Sequence, residues 1–160
     1  MHLHLRAAVE TDLRDDHAWL TAFMGTAWAH HEVECAAGVA DSVEQNSRTL
    51  HELYEASAAS DARLPVFGGR RPVGAPSDGL ARPPLMLLAP GETARAAAFL
   101  ASVSFDGLWS RAGARTHASF GPGRPEPTVR EIFRCHHEIL RAFYARAAAS
   151  GHAVIKAGWS

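Results

Sequence analysis

Polar and apolar side chains alternate at the start of the chain, as they do in a β-strand with two different faces. In a strand over residues 2–9, His2 and His4 would lie on one face, and Leu3 and Leu5 on the other. The chain is therefore expected to begin with a strand that is half buried or at the edge of a sheet.

Two helices are predicted to follow this strand. Capping residues crowd the segment 11–16 and precede Trp19 and Phe23, whose spacing of four places them on one helical face. Apolar side chains at helical spacing predict a second helix within residues 39–59. Gly38 could separate the two helices or lie within one bent helix.

The remainder of the chain combines short apolar runs with helical patterns, and its Gly- and Pro-rich stretches over 70–84 and 120–127 predict loops. Thr128 is the expected N-cap of the last helix, with Glu131 as its capping-box partner, and Gly151 is expected to end that helix. The predicted elements are strands over 64–67, 85–89 and 152–156, helices over 90–103 and 128–150, and a helical turn over 105–109.

The order of these elements predicts the α+β class. Strands at both chain ends can pair with each other, and the loops are too short to link separate domains. We therefore expect one domain over residues 1–160, in which a small mixed or antiparallel sheet of about four strands packs against several helices.

The composition restricts the class of protein. A formal net charge of −1 argues against nucleic-acid binding, which requires a basic surface, and the lack of a long apolar run argues against a membrane protein. Two cysteines, Cys35 and Cys135, are too few for a disulfide framework, and the N-terminus lacks the pattern of a signal peptide. The protein is therefore expected in the cytoplasm.

Acidic and basic side chains are distributed unevenly along the chain. Residues 1–60 hold three Arg and ten Asp or Glu, whereas residues 61–160 hold thirteen Arg or Lys and seven Asp or Glu. The two halves could attract each other within the fold or across a homodimer, or the charge could steer a ligand.

Several motifs of the chain are those of a known family. They are Pro-Val-Phe-Gly-Gly at 65–69, Leu-Ala-Pro at 88–90 before Glu92, Phe-Asp at 105–106, Leu-Arg-Ala-Phe-Tyr at 140–144, Ala-Ala at 147–148, Gly151, and Ala-Val-Ile at 153–155. With these motifs the chain resembles the YfbM-like family of bacterial domains of unknown function, most clearly over 64–160. Residues 16–19 match the family's Asp-x-Ala-Trp helix, with Leu20 in place of a frequent His. The resemblance implies a compact α+β fold and no particular activity.

The sequence holds ten histidines, and two His-His-Glu triplets stand out, at 30–32 and 136–138. Imidazole and carboxylate groups are good ligands for zinc, iron or manganese, and His30 and Glu34 lie one helical turn apart. If the two helices pack side by side, His30, Glu34 and either His136 or His137 would form a three-ligand site with an open position. Because neither a zincin motif nor a di-iron pattern is present, no cofactor is favoured, and a divalent metal is kept as an alternative.

The same histidines could act without a metal. His30, His31, His136 or His137 could transfer protons as a general acid or base in a pocket. Either Glu34 or Glu138 would orient such a histidine, and Trp19, Trp28 or Trp109 would line the pocket.

A purely structural role is the alternative for these histidines. His136 falls in an apolar stripe and could be a hydrogen-bonded core residue, whereas His137 could lie in solvent at the helix edge. The other members of that stripe are Ile132, Ile139 and Phe143. Of the two cysteines, Cys35 is the better placed for chemistry, because it lies one helical turn after His31.

The leading hypothesis is a binding or accessory protein that recognises a small molecule or a protein partner through a cleft beside the His-rich helices. The motifs of phosphate loops, dinucleotide sites and serine hydrolases are absent from the sequence. The alternative is an enzyme that uses a His/Glu cluster for general acid/base or metal-assisted chemistry.

Overall fold

The computed structural model describes residues 2–76, 84–121 and 123–159. The strands in this part of the chain are β1 (His2–Ala8), β2 (Ala40–Val43), β3 (Leu85–Leu88) and β4 (Ala153–Trp159). The helices are α1 (His17–Ala29), α2 (His31–Ala36), α3 (Ser47–Glu55), α4 (Pro90–Ser102), α5 (Phe105–Phe120) and α6 (Glu126–Ala149). This arrangement of helices and strands confirms the predicted α+β class.

The four strands form one antiparallel sheet in the order β2-β1-β4-β3. β1 and β4 pair along their whole lengths, from His2 opposite Trp159 to Ala8 opposite Ala153. The predicted pairing of the two terminal strands is confirmed. β1 lies between two other strands and is not an edge strand.

Helices cover both faces of the sheet. On one face, Leu3, Leu5 and Ala7 of β1 point into the larger core, which α3, α4, α5 and α6 complete. On the other face, His4 and Arg6 point toward α1 and α2. The predicted division of the β1 residues between two faces is confirmed, and it separates the two His-rich regions of the sequence.

The capping residues before α1 act as predicted. The Asp16 carboxylate accepts a hydrogen bond from the Trp19 backbone N–H at 2.8 Å, which satisfies one of the free amides at the helix start. Trp19 stacks on Phe23 with 5.1 Å between ring centroids, and both pack on the smaller core that α1 forms with the sheet.

The helix predicted within 39–59 is wrong in its first half. Residues Ala40–Val43 form β2 at the edge of the sheet, and α3 covers only Ser47–Glu55. A segment of four residues has no clear periodicity, and pairing with β1 outweighs its local preference. Gly38, with φ of +71°, separates α2 from β2.

The strand predicted over 64–67 is a buried turn. Leu64, Pro65 and Val66 are buried, but their segment does not join the sheet. The Lys156 ammonium group on β4 instead donates to the carbonyl groups of Leu64 and Gly68, each at 2.6 Å. The apolar run therefore indicated burial correctly and secondary structure incorrectly.

Two helix boundaries also differ from the prediction. The turn predicted over 105–109 is the start of the sixteen-residue helix α5. α6 begins at Glu126 with Pro125 as its N-cap, so the prediction that Thr128 is the N-cap is wrong. The end of α6 is confirmed, because Gly151 adopts a left-handed φ of +64° just after it. Residues 77–83 and 122, within the two predicted loops, lie outside the described residues.

Ion pairs join the acidic first sixty residues to the basic remainder. Asp15 contacts Arg70 at 2.5 Å, and Glu55 contacts Arg63 at 3.6 Å. These pairs are exposed, so each contributes little to stability. The homodimer stays a prediction. Within the described ranges, no helix has the length and apolar content needed to cross a bilayer.

Candidate functional site

The two His-His-Glu triplets lie in different surroundings. His30 is exposed at the end of α1, with its Nδ1 at 2.9 Å from the Thr26 carbonyl oxygen, and Glu34 forms an ion pair with Arg6 at 2.6 Å. His136 lies on α6, where its Nε2 is 3.2 Å from the Asn46 side-chain nitrogen. The structure does not assemble the predicted three-ligand site. Among the described residues there is no group of three His, Cys, Asp or Glu that could hold a metal ion.

The first histidine cluster comprises His4, Trp28 and His31, between β1 and the helices α1 and α2. The fully buried His4 ring meets Trp28 and His31 edge to face, with centroids 5.4 Å and 5.2 Å away. Neither ring nitrogen of His4 has a hydrogen-bond partner among the described residues. Burial, together with the charges of His31 and Arg6, lowers the pKa of His4 to about 4, so this imidazole is neutral at pH 7.

His31 also contacts Cys35, as their spacing indicated. The Cys35 Sγ lies 3.5 Å from His31 Nδ1. Burial, with the nearby carboxylates of Asp41 and Glu34, raises the pKa of the Cys35 thiol. A nucleophilic cysteine requires the opposite shift, so this pair does not form an activated thiolate.

The second cluster centres on His137, for which a position in solvent at the helix edge was one of the alternatives. His137 is 1% exposed, and its Nδ1 lies 3.2 Å from the Tyr54 hydroxyl oxygen. Its ring also lies 5.8 Å from that of Phe105. Of the predicted stripe, Phe143 is buried as expected, but its first three members are each replaced on the buried face by the next residue: Phe133, His137 and Leu140. His137 is covered on this side of α6 by Tyr54 of α3 and Phe105 of α5.

A polar cleft of about 430 Å³ opens beside His137, between the α4–α5 junction and α6. One wall is formed by residues 101–106. The other is one face of α6, whose lining residues follow the spacing of successive helical turns: Arg134, His137, Glu138 and Arg141. We refer to this cavity as the His137 cleft.

The charged groups of the His137 cleft are unequally engaged. Arg134 is held by the Glu131 carboxylate at 2.7–2.9 Å, and Asp106 accepts from Arg130 at 2.9 Å. Arg141 has a looser partner, because Glu138 lies 3.8 Å away. Arg141 is therefore the cleft guanidinium that an incoming anion could most easily recruit.

A family model matches almost the whole chain, including all four strands and both histidine clusters. The family described as a domain of unknown function, DUF1877, matches residues 2–157. This chain belongs to the DUF1877 family. The crystal structure of YfbM from Escherichia coli, a protein of unknown function, is similar over 98% of this chain and 99% of that chain, with a TM-score of 0.61 and 13% sequence identity. No curated protein matches the chain. The resemblance to YfbM is thus confirmed at the level of the fold.

α6 of this DUF1877 domain also carries an open apolar surface, with a cavity volume of about 610 Å³. Its lining residues are Pro127, Thr128, Glu131, Ile132, Cys135, His136 and Ile139, all of which lie on α6. Ile139 is 37% exposed. Because one helix supplies every lining residue in the described part of the chain, this surface is a helix face there.

The three tryptophans proposed for a pocket lie elsewhere in the DUF1877 domain. Trp19 stacks on Phe23, and Trp28, which is 47% exposed, lies over His4. Trp109 packs on Phe105 and donates its indole N–H to Glu126 at 2.6 Å. None of the three lines the His137 cleft.

Several residues of the His137 cleft or its support were not proposed as site residues from the sequence, among them Tyr54, Ser104 and Arg141. Tyr54 belongs to the apolar face of α3, and its hydroxyl group forms a hydrogen bond with His137, which lies 83 positions further along the chain. Ser104 carries a local signal, since a serine before a helix start is a common N-cap, and its side chain accepts from the Gly107 N–H. Arg141 lies within the family motif at 140–144, but it is one of many arginines, and nothing local to it indicates a ligand contact.

Proposed function

We propose that this DUF1877 domain is a binding protein that holds a small molecule in the His137 cleft. The supporting observation is that a buried histidine lines a polar cavity between two elements of the fold. The volume of about 430 Å³ falls within the range of roughly 300–1,000 Å³ found for ligand sites. Both cysteines are free, which suits the cytoplasm, where we place the protein.

The His137 cleft is favoured over the open face of α6 because of its construction. Residues from two separated segments converge on it, so a ligand would be contacted from more than one side. The open face is the place where a protein partner would bind instead, through apolar contacts around Ile139.

A blocked cleft provides the test. Ala101 is exposed and lines the cleft, so Ala101→Trp should fill the cavity without removing a hydrogen bond. We expect ligand-observed NMR with a set of small metabolites to find binders of the wild-type protein, and Ala101→Trp to weaken them at least ~10-fold, since a ring would occupy their space. Ala98→Trp is the matched control, because Ala98 is exposed on the same helix and does not line the cleft.

Two results would count against a small-molecule site in this cleft. One is that no metabolite binds at millimolar concentration. The other is that the binders found are equally affected by Ala98→Trp and Ala101→Trp, which would place them elsewhere on the protein.

An enzyme is the second candidate, with His137 as a general acid or base. Burial lowers the pKa of His137, and Tyr54 holds its ring, so a neutral imidazole in a fixed orientation faces the cleft at pH 7. If a binder is converted to product, His137→Gln should reduce the rate by about 100-fold or more while the binder is still held. A rate unchanged in that variant would exclude this role for His137.

A further inference from the structure

The hydrogen bond between Tyr54 and His137 determines which ring nitrogen of His137 carries the proton. Burial raises the pKa of the Tyr54 phenol well above its ordinary value, so the hydroxyl is protonated. Among the described residues, His137 Nδ1 is the acceptor available to that hydroxyl. Nδ1 therefore accepts, and the proton of the neutral imidazole lies on Nε2.

Nε2 is the ring atom left for a ligand. It makes no hydrogen bond to another described residue. It is also absent from the set of unpaired polar atoms that are fully buried, so a ligand in the cleft can reach it. Because His137 lines the cleft and its Nδ1 is engaged by Tyr54, we infer that Nε2–H is the donor this ring offers to the cavity.

Two more donors converge on the same cavity. The Ser104 Oγ already accepts from the Gly107 N–H at 3.4 Å, which leaves its hydroxyl proton free to donate. By contrast, the Ser102 hydroxyl proton is not available to a ligand, since it is donated to the Phe99 carbonyl at 2.9 Å. Arg141 adds a guanidinium whose nearest carboxylate, Glu138, is 3.8 Å away.

We propose that the His137 cleft binds its ligand through an anionic oxygen group, a carboxylate or phosphate, with His137 Nε2–H, the Ser104 hydroxyl and the Arg141 guanidinium as donors. This inference rests on the proposed function, because it names the chemical class of the ligand of that cleft. Three donors of different geometry around one cavity suit a group with several acceptor lone pairs.

The two carboxylates in the cleft wall compete with such a ligand to different degrees. Asp106 is occupied by Arg130 at 2.9 Å, so its charge is partly neutralised. Glu138 is the nearest carboxylate to Arg141 and must yield when an anion binds. Removal of the Glu138 charge is therefore expected to strengthen anion binding, which is the opposite of what the loss of a ligand-contacting residue does.

The first part of the test measures the tautomer directly. Long-range ¹H–¹⁵N NMR of the wild-type protein should show His137 protonated at Nε2 and unprotonated at Nδ1. Tyr54→Phe keeps the ring of Tyr54 and removes its hydroxyl, so it should release this preference. A wild-type His137 protonated at Nδ1 would overturn the donor role of Nε2, whatever the variants do.

The second part uses acetate, inorganic phosphate and the neutral amide acetamide as probes, at constant ionic strength. We expect acetate and phosphate to shift the NMR signals of His137 and Arg141, and acetamide to shift them little. Arg141→Gln should weaken acetate binding ~10-fold, and Glu138→Gln should strengthen it ~3-fold, because charged hydrogen bonds are the stronger ones and like charges repel. Arg48→Gln is the control for loss of one exposed positive charge outside the cleft.

The outcomes separate this inference from the proposed function. Acetamide binding as well as acetate, or a Glu138→Gln variant that weakens acetate, would overturn the anionic-ligand class. The cleft would remain the ligand site in that case if Ala101→Trp still removed the neutral binder. Whichever of acetate and phosphate binds more tightly identifies the ligand group, and absence of cleft shifts with both would overturn the inference.

Discussion

Raising the pH from 7 to 9 should stabilise the wild-type protein against unfolding by roughly 2 kcal/mol more than it stabilises a Lys156→Met variant. The reason lies in the position of Lys156 in β4, in the centre of the sheet, where its side chain is completely buried. Its ammonium group donates to the carbonyls of Leu64 and Gly68, and burial lowers the pKa of Lys156 to about 7.

The sign of this effect follows from proton binding. Between pH 7 and the ordinary lysine pKa of 10.5, unfolded Lys156 holds its proton, whereas most folded molecules have released it. The unfolded state therefore binds more protons, and stability rises with pH. The contribution is fully present above pH 10.5 and is lost as the pH falls through 7.

Urea unfolding of both proteins at pH 7, 8 and 9 measures this difference. Other groups titrate in the same range, but they are common to the two proteins and cancel. Val154→Ala is the control, because Val154 is a buried, non-titrating neighbour in β4 and its loss should cost a similar amount at each pH. Parallel stability curves for wild type and Lys156→Met would show that the folded lysine has an ordinary pKa.

Long periodic segments are the part of this fold that the sequence could predict. In β1, polar and apolar side chains alternate from His2 to Ala7. The pattern of α6 continues for 24 residues, with a capping glycine after it. The pairing of β1 with β4 followed from both chain ends being strands. These elements are determined mainly by their own side chains.

The missed elements depend on partners distant in the chain. Ala40–Val43 becomes a strand because β1 offers an open edge, and the segment around Leu64 is a turn because a lysine 92 positions away satisfies its carbonyls. α5 buries small residues such as Ala112 and Gly113, which give little hydrophobic periodicity. Local patterns contain no information about such contacts.

The candidate site shows the same division. The His-His-Glu triplet at 136–138 was recognisable from composition, but a shift of one residue on a helix is a rotation of about 100°. The packing of α3 and α5 against α6 decides that His137, and not His136, is buried, against Tyr54 and Phe105. In the sequence, the carboxylate and guanidinium groups of the cleft look like ordinary exposed helix residues. Only the folded structure shows that they surround a cavity.

Lowering the pH from 7 to 4 should cost the wild-type protein roughly 3 kcal/mol of stability more than it costs a His4→Phe variant. His4 is completely buried on β1 beneath Trp28 and His31, and its folded pKa is lowered from 6.5 to about 4. Between pH 6.5 and 4, His4 binds a proton in the unfolded state but stays neutral in the folded state. The contribution of His4 to the free energy of unfolding is therefore fully present above pH 6.5 and is lost as the pH falls toward 4.

His4→Phe tests this contribution with little change in shape, because a phenyl ring can keep the edge contact to Trp28. The variant should also be more stable than wild type at pH 7 by about 1–2 kcal/mol, since it removes two buried nitrogens that have no hydrogen-bond partner among the described residues. Urea unfolding at pH 7, 6, 5 and 4 compares the two, with Met24→Leu as a buried, non-titrating control in α1. If His4→Phe were to lose stability as steeply as wild type in acid, His4 would have to be protonated in the folded state. The ring would then need a water or carboxylate partner, and the α1–α2 layer would have to open enough to admit it.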